Sequence, residues 1–134
     1  MSNYTTPPAT ILVVDDDEAI RTVVALALSD EGYDVVTAEH GRAALDRLAT
    51  VHPDLILLDM RMPIMDGWEL ARAYQAAPAP HAAIIVLTAA QDAASRAAQI
   101  QAAGYLAKPF GLVELLATVS RQLALHRRGP EARA

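Results

Sequence analysis

Asp15 and Asp16 follow the apolar run ILVV at 11–14, Asp59 follows LILL at 55–58, Thr88 follows IIVL at 84–87, and Lys108 follows the shorter YLA at 105–107. A polar residue thus follows a segment suited to burial on four separate stretches of chain. Gathered in one place they would make a set of three carboxylates, one hydroxyl and one ammonium. Carboxylates that close cannot all ionise unless a cation intervenes. An oxygen-only donor set completed by water suits Mg2+. A carboxylate-held Mg2+ beside a lysine suits a phosphoryl group, whose several oxygens need their charge neutralised. A carboxylate such as Asp59 can itself attack phosphorus and form an aspartyl phosphate. Simpler roles stand beside this one. Asp16 or Asp17 can cap a helix, with Glu18 favoured by the helix dipole, and Asp59 alone can be a turn acid.

The set converges only if the intervening elements bring it together. Short, fully apolar runs are the mark of strands buried on both faces. After the first run, Ile20, Val23, Val24, Ala27 and Leu28 recur at the spacing of one helix face, and Gly32 stops that helix. A second strand is expected at 34–38, and a second helix is marked by Ala44, Leu45 and Leu48 and ended by Pro53. A third helix is expected from near Gly67 towards Gln75, with Pro78 and Pro80 beyond it. An alanine-rich fourth helix should start at about Asp92 and stop at Gly104. Leu112, Leu115, Leu116, Val119 and Leu123 define the face of a last helix. Strand and helix alternate five times, which predicts an α/β fold: a five-stranded parallel sheet with helices on both faces and right-handed crossovers. All strand ends then share one edge, the edge at which open α/β sheets bind ligands.

Composition narrows the setting. A chain of 134 residues fits one domain, and 53% hydrophobic residues supply a core. The absence of cysteine excludes disulfides, thiolate metal sites and cysteine nucleophiles. A net charge of −5 argues against direct binding to nucleic acid. No apolar run approaches a membrane span, and the N-terminus lacks the basic and apolar regions of a signal peptide, so a cytoplasmic protein is expected. His40, His52, His81 and His126 lack metal-ligand spacing and are read as solvated or capping. Trp68, Met60, Met62 and Met65 are read as packing residues. Residues 1–9, with Pro7 and Pro8, are expected as a flexible tail, 10–126 as the domain, and 127–134 as a second tail.

The segments VVDDDE, LILLDMRMPIMDGWEL, VLTA and YLAKPF, in this order, resemble the receiver domain of two-component response regulators over about residues 10–126. The resemblance implies the flavodoxin-like fold and a signalling module that is not an enzyme beyond its own phosphorylation and dephosphorylation. It implies that Asp59 accepts a phosphoryl group from a histidine kinase or phosphotransfer protein. Asp15, Asp16, Asp59 and the backbone carbonyl of Arg61 would hold Mg2+, Thr88 would bond the phosphoryl oxygens, and Lys108 would pair with Asp59 and then with the phosphate. Tyr105 would be an aromatic switch turning inward with Thr88, Pro109 would follow a cis peptide, and Pro63 and Gly67 would shape the loop after Asp59. A downstream target protein would read the switched surface, with no membrane contact. With no output domain in the sequence, it resembles a stand-alone or excised receiver.

Some positions depart from the family pattern. The stretch from Thr88 to Lys108 is about two residues short, so the fourth helix or its exit must be shortened. Gly111 replaces the usual cap before the last helix, leaving Glu114 as half of a capping box. The acids that usually precede the tyrosine are missing, the usual arginine positions of the last helix are Thr118 and Ser120, and Arg96 and Arg121 have no evident acidic partners. A monomer is therefore expected. Among alternatives, an aspartate-nucleophile phosphatase would want an acid where Arg61 stands. A dinucleotide-binding domain would want G-x-G-x-x-G where the chain has DDDE. A phosphorylation-independent interaction module would lack part of the acidic set, and none is missing.

Overall fold

The computed structural model describes residues 7–133, with the backbone alone for Ala90 and for 126–133. The apolar runs form the strands they predict: β1 (Thr10–Val14), β2 (Asp34–Ala38), β3 (Leu55–Asp59), β4 (Ala83–Ala89) and β5 (Gly104–Lys108). They make one parallel sheet in the order β2-β1-β3-β4-β5. Alternation along the strands divides the core in two. Leu12, Val14, Ile56, Leu58, Ile84 and Val86 face α2 (Gly41–Leu48), α3 (Gly67–Ala76) and α4 (Ala93–Gln99). Ile11, Val13, Leu55, Leu57, Ile85 and Leu87 face α1 (Glu18–Asp30) and α5 (Leu112–Arg133). Every residue of β3 is buried, as a central strand covered on both faces requires.

Local chemistry fixes the helix starts. The Asp17 side chain accepts from Ile20 N at 3.2 Å and caps α1. His40 caps α2 by accepting at Nδ1 from Ala43 N at 3.1 Å, the capping role expected for a histidine outside metal spacing. At α3, Asp66 and Glu69 form a reciprocal capping box. Gly67 lies so close to the chain after β3 that an added Cβ would stand 2.7 Å from Met60 Cα and 2.9 Å from the Asp59 carbonyl oxygen. Gly32, with φ +94°, takes the left-handed turn that follows α1. Lys108–Pro109 is cis, as the resemblance implied.

Three boundaries differ from expectation. The fourth helix is shortened, as the missing residues require, but it ends at Gln99 rather than at Gly104. Gln101 takes φ +55°, Ala102 N closes onto Ala97 O at 2.9 Å, and Ala103 N already bonds Ile84 O at 2.8 Å. Gly104 therefore opens β5, where it packs on Ile85. A helix of alanines buries too little to resist this early exit into the sheet. Ala9, expected in the N-terminal tail, is buried and accepts from Asp34 N at 2.9 Å. At the other end the α5 backbone continues through the expected tail to Arg133. Residues 1–6, residue 134 and the side chain of His126 lie outside the described residues. Among the described residues no helix is long and apolar enough to cross a membrane.

Candidate functional site

The strand order reverses direction between β1 and β3, because the chain adds β2 on one side before crossing to the other. That switch point is where an open α/β sheet leaves a crevice at the carboxyl edge. Val14 pairs with Leu58, so the next residues, Asp15 and Asp59, leave adjacent strands side by side. Thr88 and Lys108 follow on β4 and β5, Thr88 opposite Ala107 and Lys108 opposite Ala89. All five residues expected to converge therefore stand at one edge of the sheet.

Asp15 is fully buried, and its groups are satisfied one by one. Oδ1 accepts from Asp17 N at 2.9 Å, Oδ2 accepts from Lys108 Nζ at 2.9 Å, and its carbonyl accepts from Arg21 Nη1 at 2.7 Å. Asp16 is exposed at the mouth. Asp59 and Thr88 are buried, at 5% and 4% exposure. Asp59 Oδ1 accepts from Arg61 N at 3.3 Å, while Oδ2 stays 3.8 Å from Lys108 Nζ. The expected pairing of Lys108 with Asp59 is present as an ion pair at 3.8 Å, but the hydrogen bond of the lysine goes to Asp15. A carboxylate without water needs its counter-ion most, and Asp15 is the more enclosed of the two. Asp59 keeps the weaker share, and its pKa rises from 3.8 to about 7. Burial is the main cause, followed by the Asp15 charge, and both outweigh Lys108 and the Arg61 N–H.

Asp15, Asp16 and Asp59 offer carboxylate oxygens that lie within 4.8 Å of one another. Hard oxygen donors at that spacing, with one carboxyl held up in pKa by another, fit a divalent cation of the Mg2+ type. Beside them a cavity of about 340 Å³ is lined by Asp59, Arg61, Thr88, Gln91, Asp92 and Lys108. Tyr105, the expected switch, stands 49% exposed on β5. Sequence reasoning missed Arg21, which braces the Asp15 carbonyl, and Gln91 and Asp92, which line the cavity. Arg21 was visible as a base one turn beyond the acids. Gln91 and Asp92 gave no signal, because a 3-10 turn at Ala90–Asp92 swings them over the edge.

A family model described as the response regulator receiver domain matches residues 11–120. The response regulator MprA of Mycolicibacterium vanbaalenii is 45% identical over 123 residues, covering 90% of this chain and 52% of that protein. MprA of Mycobacterium avium is 44% identical over 120 residues, covering 88% and 51%. The chain spans about half the length of the curated relatives it matches. Among solved structures, the chemotaxis response regulator CheY4 of Vibrio cholerae superposes with a TM-score of 0.78 at 35% identity, over 85% of this chain and 98% of that one. A CheY-like receiver domain protein from Methanospirillum hungatei gives 0.80 at 28% identity, over 91% and 98%. Sheet order, acidic edge and sequence likeness agree along most of its length, and the chain belongs to the receiver domains of two-component response regulators, signalling modules that work between histidine kinases and downstream targets.

Proposed function

We propose that Asp59 is the phosphoacceptor of this receiver, taking a phosphoryl group from a histidine kinase or phosphotransfer protein. The observation that supports this most directly is the placement of Asp59. Of the two buried carboxylates it is the less compensated, with Oδ2 3.8 Å from Lys108, and it borders the 340 Å³ cavity. An oxygen of Asp59 attacks phosphorus, the P–N bond to the donor imidazole breaks, and its electron pair returns to that nitrogen. Mg2+, when bound by Asp15, Asp16, Asp59 and the Arg61 carbonyl, neutralises charge on the phosphoryl oxygens. Thr88 donates its hydroxyl to those oxygens, and Lys108 supplies a cation. Lys108 bonds Asp15 at 2.9 Å and already stands 3.8 Å from Asp59 Oδ2, within reach of an acyl phosphate formed there.

Phosphorylation adds about −1.5 to −2 charge and three acceptor oxygens. Thr88 and Lys108 are drawn towards them, and Tyr105, half exposed on β5, turns inward as Thr88 moves. The surface around α4 and β5 then binds a downstream protein rather than nucleic acid. Incubation with acetyl phosphate and Mg2+ should add one phosphoryl group by intact mass, and Asp59→Asn should add none. Equal labelling of that variant would place the acceptor elsewhere.

A further inference from the structure

Arg96, expected from the sequence to lack an evident acidic partner, is engaged in two ways. Its Nη2 donates to Asp92 Oδ2 at 3.2 Å, and its guanidinium lies 4.7 Å over the Trp68 ring. The ring in turn donates from Nε1 to Gln99 Oε1 at 2.7 Å, closing a seam between α3 and α4. The Arg96 side chain is only 13% exposed, so this is not one of the solvated i,i+4 pairs that contribute little. Two features show that its charge, not its packing, is what the site retains. Arg96 Nε is buried with no hydrogen-bond partner, a cost that an apolar side chain in the same seam would avoid. Asp92 stands at the N-cap of α4 yet makes no capping bond, its carboxylate being committed to Arg96 instead.

Asp92 also lines the cavity beside Asp59 and Lys108. Unpaired, it would add a further negative charge to a cavity whose cations are Arg61, which is exposed, and a lysine already shared between Asp15 and Asp59. Resting on the assignment of Asp59 as acceptor, we infer that Arg96 is a positioning residue for phosphoryl transfer. It neutralises Asp92, so that the cavity admits an anionic donor. Trp68 holds the guanidinium in place for this task by cation–π contact.

The sign of the charge makes the inference testable. Arg96→Met should slow labelling by acetyl phosphate about three- to tenfold, the scale of one partly screened charge near the reacting anion. Mg2+ binding, followed by calorimetry, should be unchanged or tighter, because a cation has been removed. A merely structural role would weaken both together. Asp92→Asn should speed labelling, Arg96→Met/Asp92→Asn should return it to near the wild-type rate, and Arg96→Lys should keep most of it. If the wild-type chain takes up no phosphoryl group on Asp59, the assignment of the acceptor fails. If the wild type is labelled normally but Arg96→Met is not slowed, or loses Mg2+ affinity in parallel, the inference about Arg96 alone is overturned. Should Arg96→Met not fold, Asp92→Asn decides, and no gain in its labelling rate overturns the inference.

Discussion

The electrostatics of Asp59 are set by the strand that buries it. β3 carries it to 5% exposure beside a fully buried Asp15, and its pKa rises from 3.8 to about 7. That shift sets a pH dependence of folding in metal-free solution. The unfolded chain releases the Asp59 proton near pH 4, whereas the native chain keeps it to about pH 7. Between these values the native state binds more protons, so its stability falls as pH rises. The contribution is fully present below about pH 4 and lost above about pH 7. Each unit of pKa is worth about 1.4 kcal/mol. Urea unfolding of wild type and Asp59→Asn, both with chelator, should therefore show the variant gaining on the wild type by a few kcal/mol between pH 5 and pH 8. A constant difference would show that the native carboxyl is not held protonated. With saturating Mg2+ the trend should shrink, since the cation offsets the repulsion from Asp15.

The elements that present these residues differ in how far the sequence reveals them. Strands β1, β3 and β4 were legible because unbroken apolar runs are what double-sided burial demands, and each run ended at the residue that matters. Helix α4 was legible as a helix but not in extent, because a row of alanines carries no periodicity that separates buried from exposed turns. The seam of Trp68, Arg96 and Gln99 was not legible at all, since it joins residues 31 apart through the packing of α3 on α4. The preference of Lys108 for Asp15 was hidden for a related reason: it depends on which of two neighbouring acids is more enclosed. One glycine tests how tightly an element is coupled to the site. A Cβ on Gly67 would meet backbone at Met60 Cα and Asp59 O, both under 3.0 Å, and Met60 is itself fully buried. The loop after β3 has nowhere to move without shifting Asp59. Gly67→Ala should cost about 1–3 kcal/mol in thermal or urea melts and slow labelling of Asp59. Gly111→Ala, with open space around it, is the control and should do neither. Equal behaviour of the two would mean that the close approach at Gly67 does not position the acceptor.

For the whole molecule the open matter is what the switched surface meets. Receivers of transcription factors commonly pair through the face of the fourth helix, fifth strand and fifth helix, using acids before the tyrosine and arginines along the last helix. In this chain Gly104 directly precedes Tyr105, and the arginine positions are Thr118 and Ser120. Arg96, the base on α4 nearest that face, is committed to Asp92 and stacked on Trp68. The charge pairs that would fix the register of two copies therefore cannot form. What the region offers instead is apolar: Tyr105 at 49%, Leu112 at 44% and Val113 at 84% exposure. Scattered apolar side chains of this kind suit a small contact with a different protein better than a charged self-association. The protein should thus stay monomeric at micromolar concentration when Asp59 carries beryllofluoride, a mimic of the phosphoryl group. Multi-angle light scattering before and after its addition measures this directly. A shift to twice the monomer mass, abolished by Leu112→Asp or Val113→Asp, would show that two copies can pair through apolar contact alone and that the missing charges do not decide the matter.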